Sequence, residues 1–180
     1  MSLVTKEQKS MLPLIPEGYQ KATIVSVVDL GSHDNAFQEG AINHKVSITW
    51  ELPEVTHVFE EEKGEQPRWL TKTYTVSNHI KSNLYPILKG LGLIGFDKAG
   101  FDILSIAGKQ CELNIVHQEN DKGVEYVQIA KVRPAEYDHE ANVITFDIDR
   151  DGFKGSEFLT LPEWQQNELK ASKEFNDLPF

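Results

Sequence analysis

Val46, Ile48, Trp50 and Leu52 alternate with Lys45, Ser47, Thr49 and Glu51, the two-residue period of a strand with one apolar and one polar face. Pro53 is expected to end that strand. Upstream, Pro16-Glu17-Gly18 punctuates the start of residues 19–30, an Ile- and Val-rich stretch whose apolar points are Ala22, Ile24 and the Val27-Val28 pair. Gly31-Ser32-His33-Asp34-Asn35 reads as the turn that breaks it, and residues 37–43 could form a loop over the sheet. Downstream, residues 54–66 form a polar connection. Pro67-Arg68 then leads into a third strand over 69–77, where Thr71, Thr73 and Thr75 alternate with Lys72 and Tyr74.

The period then changes. Ile80, Leu84, Ile87, Leu88 and Leu91 recur three to four residues apart, which predicts a helix capped by Ser77 or Asn78. Pro86 either kinks it or marks its true beginning, and Gly90 and Gly92 supply a stop. A second short helical piece is expected over 96–106. Cys111, Leu113 and Ile115 restore the strand period, and Asn120-Asp121-Lys122-Gly123 makes a hairpin turn into a fifth strand over 124–132. Three strands, a helix and two strands predict a mainly β protein with short helices. The expected architecture is a five-stranded Greek-key barrel with its helix between strands 3 and 4, the OB-fold. The chain then divides into a flexible N-terminal segment (1–15), the OB-fold domain (16–135), an acidic extension (136–172) and a free C-terminal tip (173–180). Within the extension Pro162 opens a short helix that could pack Trp164 and Leu169 on the barrel or, in a homo-oligomer, on another subunit.

The net charge of −10 argues at first against a nucleic-acid partner, because affinity for phosphate usually needs a basic surface. Its distribution changes that. Residues 136–180 hold four basic and eleven acidic side chains, and Glu60, Glu61, Glu62 and Glu65 lie in one connection. Without that connection the 16–135 body has twelve side chains of each sign, and a neutral body can carry a basic groove. A 39% hydrophobic content is enough for a core. No apolar run approaches the ~20 residues of a membrane helix. Lys6, Glu7 and Lys9 make the start too charged for a secretory signal. The single cysteine, Cys111, excludes an internal disulfide, agrees with a reducing cytoplasm and reads as a small core residue.

A series of short motifs in fixed order carries a resemblance. Pro16-Glu17-Gly18-Tyr19, Val28-Asp29-Leu30-Gly31, Trp50-Glu51-Leu52-Pro53, Tyr74-Thr75-Val76-Ser77 and Lys81-Ser82-Asn83-Leu84 open it. Phe101-Asp102-Ile103-Leu104, Gly108-Lys109-Gln110-Cys111 and Val116-His117 continue it. Over residues 14–135 the chain resembles a family of phage single-stranded-DNA-binding proteins with an OB-fold. The last residues, Asp177-Leu178-Pro179-Phe180 after Glu174, resemble the acidic Pro-Phe tip of bacterial single-stranded-DNA-binding proteins, which recruits replication and repair enzymes. The two resemblances imply a phage protein of DNA replication, recombination and repair. It would coat single-stranded DNA in the cytoplasm, use no cofactor or metal, need no membrane, and hold partner enzymes through Asp177, Leu178, Pro179 and Phe180.

Such a site combines a cationic groove with aromatic platforms on which bases stack at roughly 1–3 kcal/mol each, whatever the sequence. Candidate platforms are Phe37, Trp69, Tyr74 and Tyr126, each on or beside a predicted strand. Candidate phosphate contacts are Lys21, Lys45, Arg68, Lys72, Lys131 and Arg133, with Lys45 expected to be exposed and Arg68-Trp69 plus Lys72 the densest cluster. Trp50 belongs to the core by parity, and Tyr74 shares parity with Leu70 and Val76, so it could be core too.

Other chemistries are weaker. Asp147-Ile148-Asp149-Arg150-Asp151-Gly152 matches the opening of a calcium loop, but its twelfth position is Phe158 where a bidentate glutamate is needed. The six histidines show no metal-ligand spacing, and there is no nucleophile elbow or phosphate-cradling glycine loop, so no enzyme is expected. The alternative to a DNA-binding protein is an OB-fold adaptor, or an acidic DNA mimic that binds a host protein.

Overall fold

The computed structural model of the protein describes residues 12–179. The expectations for residues 1–11 and for Phe180 lie outside the described residues. Five long strands make the sheet: β1 (Gly18–Asp34), β2 (Ile42–Val58), β3 (Glu65–Thr75), β4 (Gln110–Glu119) and β5 (Glu125–Pro134). Their spatial order is β3-β2-β1-β4-β5, with every neighbour antiparallel. The fold is mainly β with short helices, and helix α1 (Tyr85–Gly90) stands between β3 and β4 in the chain as expected.

The apolar parity of β2 builds the core. Ile48, Trp50 and Leu52 are fully buried with Ile24 of β1 and Cys111, Leu113 and Ile115 of β4. Tyr74 packs edge-on against Trp50, ring centroids 6.4 Å apart. Burial pushes the Cys111 thiol up to about 12, the behaviour of an inert core residue. The expected barrel is not closed by backbone pairing, because β3 and β5 are the two ends of the sheet. Across that gap the Lys72 ammonium donates to the Val127 carbonyl at 2.6 Å.

Several boundaries differ from expectation for local reasons. The pairing of β1 with β2 runs on through Gly31 to Asp34, with irregularities at 24/26 and 29/31. Gly31 is therefore part of a bulge and not a turn, and its φ of +78° is the conformation a glycine bulge uses. Pro53 does not end β2; it sits where the β2–β3 register is interrupted between Leu52 and Thr56, the place a strand tolerates a missing donor. Pro86 marks the start of α1, which is one short helix; Asn78 instead holds the Phe96 and Lys98 carbonyls. Gly90 does more than stop the helix. A Cβ there would collide with the Val132 carbonyl, so glycine lets α1 lie directly on β5. The second helical piece is a single turn, Ile103–Ile106, capped by Asp102.

The largest difference is at the two ends of the described chain. Ile15 is buried in the main core, Pro13 accepts from Arg68 and Ile15 accepts from His117, so residues 12–15 belong to the domain. Beyond β5, a sixth strand β6 (Ile144–Phe146) pairs with β1 in parallel. It is followed by α2 (Ile148–Asp151), α3 (Ser156–Leu159), α4 (Glu163–Lys170) and α5 (Lys173–Asn176). These form a second core on the outer face of β1: Val28 and Leu30 with Phe146, Phe158, Leu161 and Leu169. The bulge at 24/26 makes this possible, because one inserted residue moves Val28 and Leu30 to the outer face while Ala22, Ile24 and Val27 stay in the first core. Leu169 packs as expected, whereas Trp164 stays 43% exposed. Among the described residues no helix is long and apolar enough to cross a membrane.

Candidate nucleic-acid interface

The gap between β3 and β5 is a cleft of about 480 Å³. Lys72 and Tyr74 reach it from β3, Tyr126 and Lys131 from β5, and Asn83 from the segment before α1. Its remaining lining includes Thr73, Gln128 and Ile129 but no aspartate or glutamate. Four of the ten sequence candidates, spread over sixty residues of chain, thus meet at one place. Tyr126 is 42% exposed. Lys131 is exposed and, among the described residues, its ammonium makes no hydrogen bond or ion pair. Lys72 differs: it bridges the gap, and burial lowers its ammonium below the ordinary value. Tyr74 is corrected from open platform to cleft wall, because its ring leans on Trp50 and burial raises its phenol well above the ordinary range.

The expected Arg68–Trp69–Lys72 cluster is split. Side chains alternate along β3, so Trp69 stands with Thr71 and Thr73 on the outer face while Arg68 and Lys72 share parity with buried Leu70. Trp69 is 59% exposed, and its indole N–H donates to Glu51 Oε2 at 2.9 Å, which fixes the ring. Arg68 Nη1 donates to the Pro13 carbonyl at 2.7 Å. Both line a second hollow, about 480 Å³, with Phe59, Leu12 and Lys63. Phe59 is an exposed ring that sequence reasoning missed, because it lies in a stretch read as a polar connection.

The remaining candidates lie elsewhere. Phe37 is fully exposed in the β1–β2 loop, its backbone N–H held by Asn35 Oδ1 at 2.8 Å. Lys45 is half-buried on β2 opposite Thr75, not openly exposed. Lys21 pairs with Glu54 at 3.0 Å. Arg133 is bonded to Glu112 and lies 3.6 Å over the Tyr19 ring. Lys21 and Arg133 are thus neutralised within the fold. Asp147, the first residue of the calcium-like run, spends its carboxylate on the Asp149 and Arg150 backbone, and Asp151 is held by Arg150. The expected free tip is also docked as far as Leu178: Glu174 accepts from Ser32 and Phe175 packs on Phe153, while Asp177 and Pro179 are exposed. Compared with known proteins, the chain matches no protein-family model and no curated protein.

Proposed function

We propose that the protein binds single-stranded DNA without sequence preference along the β3–β5 cleft. The observation that carries this reading is local charge: in a chain of net charge −10, the cleft joins two lysines and two tyrosines with no carboxylate. A strand tracking it could stack a base on Tyr126 and set phosphates near Lys131 and Lys72, the two ingredients of sequence-tolerant binding. Asn83, Thr73 and Gln128 are neutral donors and acceptors that suit either a sugar or a base. The strand order, with a helix between the third and fourth strands, supports an OB-fold, a partly open Greek-key barrel. Phe37 and Trp69, exposed rings outside the cleft, are not needed for this reading. No bond is made or broken. In this reading Asp177–Phe180 recruits replication, recombination or repair enzymes.

The test is fluorescence anisotropy of labelled oligothymidine, at low and moderate salt, with oligouridine alongside to separate DNA from RNA. Binding that weakens with salt and with Tyr126→Ala supports the reading. No binding of either oligomer at low salt overturns it. A second reading, a protein-binding adaptor, is favoured by the internal pairing of Lys21 and Arg133 and by the acidic extension. An adaptor would keep its partner affinity in Tyr126→Ala, which separates the two.

A further inference from the structure

We propose that residues 173–179 are a latch held down by the imidazolium of His44, and that neutralising His44 releases Leu178 from the fold for capture by another protein. The capture rests on the partner-recruiting reading above; the latch does not.

The contact is built from both sides. Ser172 is buried, donates to the Leu169 carbonyl at 2.6 Å and accepts from the Phe175 N–H at 3.2 Å, so it turns the chain from α4 into α5. Glu174 then grips β1: Oε2 accepts from the Ser32 N–H at 2.8 Å and Oε1 from the Ser32 hydroxyl at 2.6 Å. Lys173 pairs with Asp34 at 2.9 Å. Phe175 meets Phe153 edge-on at 5.2 Å, and Leu178 helps line a hollow of about 510 Å³ with Ile148 and Phe153. Gly31 stands where the segment comes closest. A Cβ there would lie 2.7 Å from Ser172 Cβ and 2.8 Å from Glu174 Oε2, at a φ of +78°. Gly31 is thus matched to the docked state.

His44 of β2 supplies the charge. Its Nε2 lies 2.5 Å from Asp29 Oδ1 and its Nδ1 3.4 Å from Ser32 Oγ. Ser32 already spends its one hydrogen on Glu174, so Nδ1 must be the donor toward Ser32; Nε2 faces a carboxylate and must donate as well. Both contacts are satisfied together only by the imidazolium. The groups that face it are Asp29 and Ser32 on β1, Glu174 on α5 and Asp149 on α2. A neutral His44 would leave these three carboxylates confronting one another across the docking surface.

The titration agrees with the geometry. The Asp29 bond raises His44 above the ordinary 6.5, against the opposing effect of burial. Burial works to raise Glu174, and its two Ser32 bonds outweigh that and leave it below the ordinary 4.5. The His44 contribution is therefore complete below pH 6.5 and is lost as pH rises through its raised value. The Glu174 contribution is complete above pH 4.5 and is lost as pH falls through its lowered value. Docking is strongest between the two.

The test is amide exchange in the full chain, read by NMR at Ser32 and Leu178, each rate divided by that of an unstructured chain at the same pH. The Ser32 amide bonds Glu174, and the Leu178 amide bonds the Phe175 carbonyl at 3.2 Å. Protection at both sites is expected to fall by roughly three- to tenfold as His44 loses its proton, the reach of a partly exposed charge contact. In His44→Gln it should be low and insensitive to pH. Glu174→Gln, on a surface segment that cannot unfold the sheet, should lose the alkaline fall as well. Flat protection in the natural chain, an unchanged alkaline fall in either variant, or a fall at Ser32 alone would overturn the latch. No nucleic acid enters the measurement, so a failure to bind oligothymidine leaves the latch standing, and loss of the latch leaves the DNA reading standing.

Discussion

The middle strand of the sheet and its two end strands carry opposite chemistry. The outer face of β1 is covered by a segment with four basic and eleven acidic residues over 136–180, held by Val28, Leu30, Phe146, Phe158, Leu161 and Leu169. The cleft between β3 and β5 has two lysines, open aromatic surface and no carboxylate. One strand separates β1 from each wall of that cleft in the order β3-β2-β1-β4-β5. Net charge averages these regions and so describes neither. Under the proposed DNA reading, an acidic cover on β1 and a carboxylate-free cleft between β3 and β5 would steer a phosphate chain toward the cleft. The two regions also differ in stability. The covered face gains about 1.5–3 kcal/mol for each large apolar side chain it buries, whereas the cleft leaves Tyr126 and Lys131 exposed and forgoes such burial there.

A single substitution does the most damage in the cover. Leu169→Ala removes a fully buried side chain and should cost about 2–5 kcal/mol in urea unfolding while leaving oligothymidine affinity unchanged wherever the protein is folded. A loss of affinity without loss of stability would mean that the cover itself touches the ligand. Next comes Tyr126→Ala, an exposed change expected to weaken oligothymidine binding by about 1–3 kcal/mol, measured by anisotropy. Its stability should move by less than about 0.5 kcal/mol. Lys131→Ala should lower the slope of log affinity against log salt by about one, the mark of a single lost phosphate contact. Lys21→Ala and Arg133→Ala should barely move that slope, because Glu54 and Glu112 already neutralise them. A fall for Arg133→Ala equal to that for Lys131→Ala would mean that the interface extends past the cleft to the Arg133–Glu112 pair.

Much of the β sheet could be read from alternation. β2, β4 and β5 announce themselves, and the parity that placed Trp50 in the core also raised the core reading of Tyr74. What alternation could not supply was the effect of one inserted residue. The bulge at 24/26 exchanges the faces of Val27 and Val28, sending Val27 to the first core and Val28 to the second, yet locally it resembles any Ile/Val-rich strand. Gly31 and Pro53 look like strand ends in sequence because both residues often are; here antiparallel pairing continues past each of them. The candidate site was legible as residue types and not as a place. Lys72, Tyr74, Tyr126 and Lys131 meet only because the sheet curls, and Arg68-Trp69 separates because a strand sends neighbours to opposite faces. The docked C-terminal segment was invisible for the same reason: Ser32 and Glu174 stand 142 residues apart.

The most direct measurement is a backbone NMR titration of the full chain with unlabelled oligothymidine at low salt. Shifts that grow along 71–75, 83–87 and 126–132, with 144–172 unmoved, are expected if DNA lies in the β3–β5 cleft. Shifts centred on Val28, Leu30 and the 144–172 cover, or none at all at saturating oligomer, would contradict it.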